Sequence, residues 1–276
     1  MAEPEKKKKE YPKIGIIGVG ILGNTARVYY EEKGYQVSCY DKFKNIGSIK
    51  DVNRADITFV CVPTSRRADN KCDISIVEEV IGYIEYTDDR KIIVIRSTVP
   101  PFTTDNLQRN SKHLLLFNPE FLKARSAYVD FRNPTFQLIG YTPRSETVAQ
   151  AILGILPLAR FMRIMPAAAA EMFKYVRNSF LGVKNSFYNQ IFDLCQAVGV
   201  DYSQIKECAE IDPWIGREHL DVMMDGYRGF NGMCLPKDTE AFLIWAKEKG
   251  VDLTILKQAI EFNSELLASQ NIKKES

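Results

Sequence analysis

Short apolar runs alternate with amphipathic stretches through the first 165 residues of the chain. Residues 13–18 (Lys-Ile-Gly-Ile-Ile-Gly) read as a buried strand ending in glycine, and apolar positions at helical spacing follow from Ile21 to Lys33. Gln36 to Tyr40 is a second strand, closed by Asp41. Ile57 to Val62 and Lys91 to Ile95 are two more buried strands, separated by helical spacing from Ile74 to Ile84. His113 to Phe117, Phe136 to Ile139 and Phe161 to Met165 add three further runs. Strands that are apolar throughout and alternate with helices predict a parallel, doubly wound sheet.

The pattern then changes. From Pro166 to Ala197 the only glycine is Gly182, and no proline follows Pro166, which suits a helix N-terminus. Ala167 to Ala170 are strong helix formers. Such a helix spans roughly 45 Å, too long for one small domain, and predicts a spine shared between domains or subunits. Phe173, Phe180 and Phe187 along it are expected in the core. From Tyr202 onward the chain reads as helices joined by one loop, Asp212 to Asp238. The expected architecture is α/β: a disordered basic tail (1–11), a Rossmann-type parallel sheet domain (12–165), and an all-helical domain built on the long central helix (166–276). That helix needs more apolar cover than its own domain supplies, which predicts a homodimer.

Composition narrows the function. The 276 residues carry 37 basic and 35 acidic side chains, a net charge of +2, which gives no electrostatic case for nucleic-acid binding. Lys6 to Lys9 lie beside Glu3, Glu5 and Glu10 and read as a solvated terminus. No apolar stretch has the length of a membrane span or a signal-peptide core. Six cysteines without C-x-x-C pairs argue for a reducing, cytoplasmic compartment. With only His113 and His219, a metal site is not expected.

Gly18-Val19-Gly20-Ile21-Leu22-Gly23 fits G-x-G-x-x-G, follows a strand and opens a helix, and Asp41 ends the next strand 18 residues after Gly23. Gly18 permits the tight turn, Gly20 lets a pyrophosphate approach, and Gly23 lets helix and strand pack closely. The helix N-terminus around Ile21 and Leu22 offers its N–H groups to phosphate. Asp41 would bond the adenosine ribose and repel a 2′-phosphate, which predicts NAD rather than NADP. Lys42 and Lys44, next to it, pull the other way.

Further stretches carry the chemistry: Phe59 to Thr64, Ser97 to Pro101, Asn118 to Leu122, Glu171 to Asn178, Asn185 to Asn189, and Gly229 to Asp238. In order and spacing they closely resemble the nucleotide-sugar 6-dehydrogenases, the family of UDP-glucose, GDP-mannose and UDP-N-acetylmannosamine dehydrogenases. The resemblance implies oxidation of a sugar C6 alcohol to a carboxylate by two hydride transfers to NAD, through a thiohemiacetal and a thioester on Cys234. Lys237 is a cation close in sequence that would favour the thiolate. Lys174 and Asn178, four apart on one helix face, would stabilise the alkoxide and the oxyanion. Glu120 would handle water and proton transfer in thioester hydrolysis, with Asp238 and Thr98 positioning the water or holding Lys174. The resemblance also places Pro63, Thr64, Ser97, Thr98 and Lys237 at the cofactor. It places Phe121, Leu122, Lys174, Asn178, Gly229 and Gly232 at a sugar-nucleotide substrate.

Some positions depart from the family pattern. Trp214 stands where members use arginine, Ala124-Arg125 replaces a Glu-Gly pair, and Asn231 and Met233 replace small residues. The family's C-terminal sugar-nucleotide domain is expected to be absent; the chain would then bind a UDP-sugar weakly, use a second subunit or a separate partner chain, or take a smaller substrate, with Arg217 and Arg228 as candidate phosphate contacts. Two other readings fit part of the pattern. A β-hydroxyacid dehydrogenase transfers one hydride and needs no cysteine, and a degenerate NAD-binding protein would turn nothing over.

Overall fold

The computed structural model describes residues 11–85 and 90–274. By its contacts the chain divides into two compact units. One holds the described residues through Thr64 together with Ile74–Glu171; the other holds Ser65–Asp73 and the described residues from Met172.

The first unit is an eight-stranded sheet, in the order β3-β2-β1-β4-β5-β6-β7-β8. Its strands are β1 (Ile14–Ile17), β2 (Val37–Asp41), β3 (Ile46–Gly47), β4 (Ile57–Val60), β5 (Ile92–Ile95), β6 (Leu114–Phe117), β7 (Phe136–Tyr141) and β8 (Phe161–Pro166). Strands β2, β1, β4, β5 and β6 run parallel and in register. The sheet is mostly parallel, as expected, with two antiparallel pairings: β3 with β2 and β7 with β6, while β8 runs parallel to β7. Helices α1 (Ile21–Glu32), α2 (Ile49–Val52), α3 (Ser75–Glu85), α4 (Thr103–Asn110), α5 (Ala127–Arg132) and α6 (Glu146–Ile155) link the strands. Two apolar clusters bury the sheet, one around Val60, Ile95 and Phe117 and the other around Ile16, Phe59 and Leu116. The strand order reverses between β1 and β4, which is where open α/β sheets bind ligands at the carboxyl ends of their strands.

Helix α7 (Ala167–Val198) is 32 residues long, about 48 Å at the usual rise. Its first turns belong to the sheet unit because Ala167 and Ala170 are fully buried there against Gly140, whose added Cβ would lie 2.8 Å from Ala167 Cα. The division between units therefore falls within α7, after Glu171, rather than at residue 166.

In the second unit α7 continues from Met172, joined by α8 (Tyr202–Ile211), a two-residue hairpin of β9 (Met223–Met224) and β10 (Tyr227–Arg228), α9 (Leu235–Glu248) and α10 (Thr254–Ser269). Segment Ser65–Asp73 joins this unit through two ion pairs on α9, Arg66 to Glu240 at 2.6 Å and Lys71 to Glu248 at 2.5 Å. Gly182 is the notch where Phe230 and Thr239 cross the long helix: an added Cβ would lie 3.2 Å from Thr239. The phenylalanines expected in the core are not there. Phe173, Phe180 and Phe187 are 38%, 60% and 54% exposed.

The expected tail (1–11) lies outside the described residues except for Tyr11, whose ring packs 4.5 Å from that of Tyr35. Among the described residues no helix is long and apolar enough to cross a membrane, and no cluster of His, Cys, Asp and Glu could hold a metal ion.

Candidate active site

The glycine-rich turn leaves β1 and opens α1. Gly18 has φ +88°, and a Cβ on it would lie 2.5 Å from the Cys61 carbonyl oxygen; one on Gly23 would lie 1.9 Å from that of Gly18. Any side chain at either position would break the turn. Gly20 differs, because a Cβ there meets nothing within 4 Å. That open space lies in front of the N-terminus of α1, which has no side-chain cap and no acidic residue in its first turn. Its N–H groups are left to an anion.

Asp41, at the end of β2, is fixed by three backbone donors: Val19 N–H to Oδ2 at 2.8 Å, and Phe43 and Lys44 N–H to Oδ1 at 3.0 Å. The carboxylate keeps acceptor capacity for a ribose hydroxyl. It edges a cleft walled by Tyr40, Asp41 and Lys42 on one side and by Ile76, Glu79 and Val80 of α3 on the other. A turn that only glycine can make, an open helix N-terminus and a fixed carboxylate beside an apolar cleft fit an adenine dinucleotide.

Pro63 also lines that cleft, and Thr64, next in the chain, is buried. Ser97 is buried and donates from Oγ to the Val62 carbonyl at 2.6 Å, tying the ends of β4 and β5 together. Thr98 is half-buried just beyond it. Glu120, beyond β6, accepts the Leu122 N–H and so closes its own turn. Phe121 packs edge-on against Phe136 at 4.5 Å, and Leu122 packs on the sheet's apolar cluster. Burial pushes the Cys39 thiol up to about 11 and the Cys61 thiol up to about 12, so both stay protonated at neutral pH.

The helical unit holds the other expected residues. Lys174 and Asn178 are buried on one face of α7, 7% and 4% exposed. Asn178 Nδ2 donates to Asp238 Oδ2 at 2.6 Å, and Lys237 Nζ donates to Asp238 Oδ1 at 2.6 Å. Lys237, expected at the cofactor, thus has its ammonium on Asp238, and Asp238 is held by Lys237 and Asn178. Burial opposes the charge on Lys237, but the Asp238 carboxylate, aided by Cys72 and Cys234, overrides it and holds the ammonium above its ordinary pKa. Cys234 is exposed at the N-cap of α9.

The loop that leads to Cys234 is held by amides that the sequence did not single out. On α10, Asn263 accepts from Phe230 N–H and donates to the Phe230 carbonyl, both at 2.8 Å. Gln270 does the same for Arg228, at 2.8 and 3.1 Å. Gly229, expected at the substrate, has φ +96°, and its added Cβ would lie 2.6 Å from Asn263 Oδ1. Gly232 also has positive φ, +83°. Arg228, considered for phosphate, has its guanidinium on Asn189, on Asp193 at 2.8 Å and over the Phe192 ring. Arg217 and Trp214 are exposed.

Residues 42–153 match the NAD binding domain of the UDP-glucose/GDP-mannose dehydrogenase family, and residues 168–265 match its central domain. The chain belongs to that family. The family's NAD binding domain makes NAD the cofactor of the chain. The chain is 31% identical to the UDP-glucose 6-dehydrogenase of Rickettsia conorii, over 81% of this chain and 52% of that one. It is 30% identical to the UDP-glucose 6-dehydrogenase TuaD of Bacillus subtilis, over 91% of this chain and 62% of the relative. The chain thus spans between half and two-thirds of these two relatives. A solved UDP-glucose dehydrogenase from Pyrobaculum islandicum superposes with a TM-score of 0.83 at 25% identity, over 94% of this chain and 69% of that one.

Proposed function

We propose that the chain is an NAD-dependent nucleotide-sugar 6-dehydrogenase, oxidising a sugar C6 alcohol to the carboxylate in two two-electron steps. The observation that carries the reading is the buried Lys237–Asp238–Asn178 network at the first turn of α9, with an exposed cysteine on the same helix end. NAD, when bound, supplies the hydride acceptor for each step. Lys174 and Asn178 stabilise the alkoxide in the first oxidation. The Cys234 thiolate then adds to the aldehyde carbon and gives a thiohemiacetal. Loss of the second hydride leaves a thioester on Cys234, and its oxyanion is again met by Lys174 and Asn178. Water, oriented by Asp238, attacks the thioester; Glu120 takes one of its protons and the departing Cys234 sulfur the other, so that the carboxylate leaves with the thiol restored. A one-hydride β-hydroxyacid mechanism leaves the cysteine without a task.

Counting NADH against sugar tests the reading, with UDP-glucose, UDP-N-acetyl sugars and GDP-mannose as substrates. Two NADH per sugar are expected, and Cys234→Ser should halt after the aldehyde stage, with turnover down by about 10³-fold or more. One NADH per substrate, or full turnover in Cys234→Ser, refutes it.

A homodimer through α7 belongs to the same reading. Phe173, Phe180, Phe187 and Leu194 recur every seven residues and are all exposed. A groove of 570 Å³ runs between α7 and α10, lined in part by Val183, Phe187, Ile255 and Phe262. Such a stripe suits a second copy of the same helix.

A further inference from the structure

Two lysines flank the ribose-reading carboxylate, and an ammonium in that place would ordinarily welcome the extra phosphate of NADP. Both are occupied. Lys44 Nζ donates to the Val19 carbonyl at 2.6 Å, which turns it back onto the glycine turn. Lys42 Nζ reaches across the cleft to Glu79 Oε1 of α3 at 3.5 Å, and the Tyr83 hydroxyl, one turn along α3, donates to the same oxygen. Lys42 and Glu79 are 62% and 44% exposed, and an ion pair that open adds little to folding stability. Its consequence lies in the cleft it spans, where it fixes the position of one cation and adds a second carboxylate near Asp41. The Tyr83 hydrogen bond, with Lys42, keeps Glu79 below the ordinary carboxylate range, so it is charged at neutral pH.

We propose that Glu79 is a positioning residue for cofactor choice: it draws Lys42 to the α3 wall, away from the ribose edge, and with Asp41 turns the cleft against a 2′-phosphate. The inference rests on the cleft binding NAD and assigns the preference to an ion pair across it as well as to Asp41. Tyr83 acts through Glu79 by holding its carboxylate in place.

Calorimetric titration of the full chain with NAD and with NADP reads the effect directly, without turnover. In Glu79→Ala the freed Lys42 should meet the 2′-phosphate, and the ratio of NADP to NAD dissociation constants should fall about tenfold at low salt, less at high salt. Tyr83→Phe should lower it several-fold. Adding Lys42→Ala to Glu79→Ala should restore most of the wild-type ratio, which a loss of fold or of the cleft would not do. An unchanged ratio in Glu79→Ala overturns the proposal alone, as does a fall that persists in the double variant. A wild-type chain that binds neither dinucleotide overturns the cofactor reading and this proposal together.

Discussion

Asn263 holds the loop that leads to Cys234, the proposed nucleophile. It lies on α10, 1% exposed, and both functions of its amide are spent on Phe230, four residues before Cys234. Asn263→Asp keeps the size and the acceptor but removes the donor and buries a charge. Destabilisation of about 1–3 kcal/mol is expected in urea unfolding, with a lower kcat as the loop loosens. An unfolding midpoint and kcat both equal to wild type would show that the loop is held by something else. Position 263 could not be read from the sequence because its partner is 33 residues away. Lys237 and Asp238 were legible as chemistry but not as a pair, since neighbours on a helix do not normally face each other.

Helix α4 makes the same point for an element. Its sequence, Thr-Thr-Asp-Asn-Leu-Gln-Arg-Asn, has one leucine and no capping residue, because the N-cap is Phe102. Its cap comes from α7: Glu171 Oε1 accepts from Thr104 N–H at 2.8 Å and from Thr104 Oγ1 at 2.6 Å. Strands such as Ile-Thr-Phe-Val and Leu-Leu-Leu-Phe are written in local composition, but a helix whose cap lies 67 residues away is not. That carboxyl predicts a pH dependence. Burial outweighs the Thr104 hydrogen bonds and raises Glu171 from 4.5 to about 7. The folded state therefore binds the proton more tightly than the unfolded chain. The stabilisation is complete below the unfolded pKa and is lost as pH rises through about 7, a change on the order of 3 kcal/mol. Glu171→Gln should flatten this part of the slope between pH 5 and 8 in chemical denaturation. A slope as steep as wild type in that variant would place the proton elsewhere. The alanines that open α7 show how one signal covers two needs: they read as helix formers, and Ala167 and Ala170 are also small enough to pack closely against Gly140. Gly140→Val should therefore destabilise by about 1–3 kcal/mol through forced displacement of the helix start.

At the scale of the molecule, an apolar helix face was legible but not what covers it. Phenylalanines at 173, 180 and 187 have the spacing of a buried stripe, and composition cannot say whether the cover is the same chain or another copy. The exposures of 60% at Phe180, 54% at Phe187 and 57% at Leu194 leave the stripe uncovered by the other described residues. A stripe with a seven-residue repeat over three turns or more is the seam of a two-helix packing, and two large aromatic side chains at its centre dominate what association gains. Charge placed there is the sharpest probe, since a buried ammonium with no partner is strongly disfavoured while the same ammonium in water is not. The wild-type chain is expected to sediment as a dimer at micromolar concentration. Phe180→Lys combined with Phe187→Lys should sediment as a monomer with an unchanged helical circular dichroism signal, because both side chains already face outward in the single chain. A wild-type monomer, or a dimer that survives both lysines, would remove α7 as the seam and leave its phenylalanine stripe unexplained.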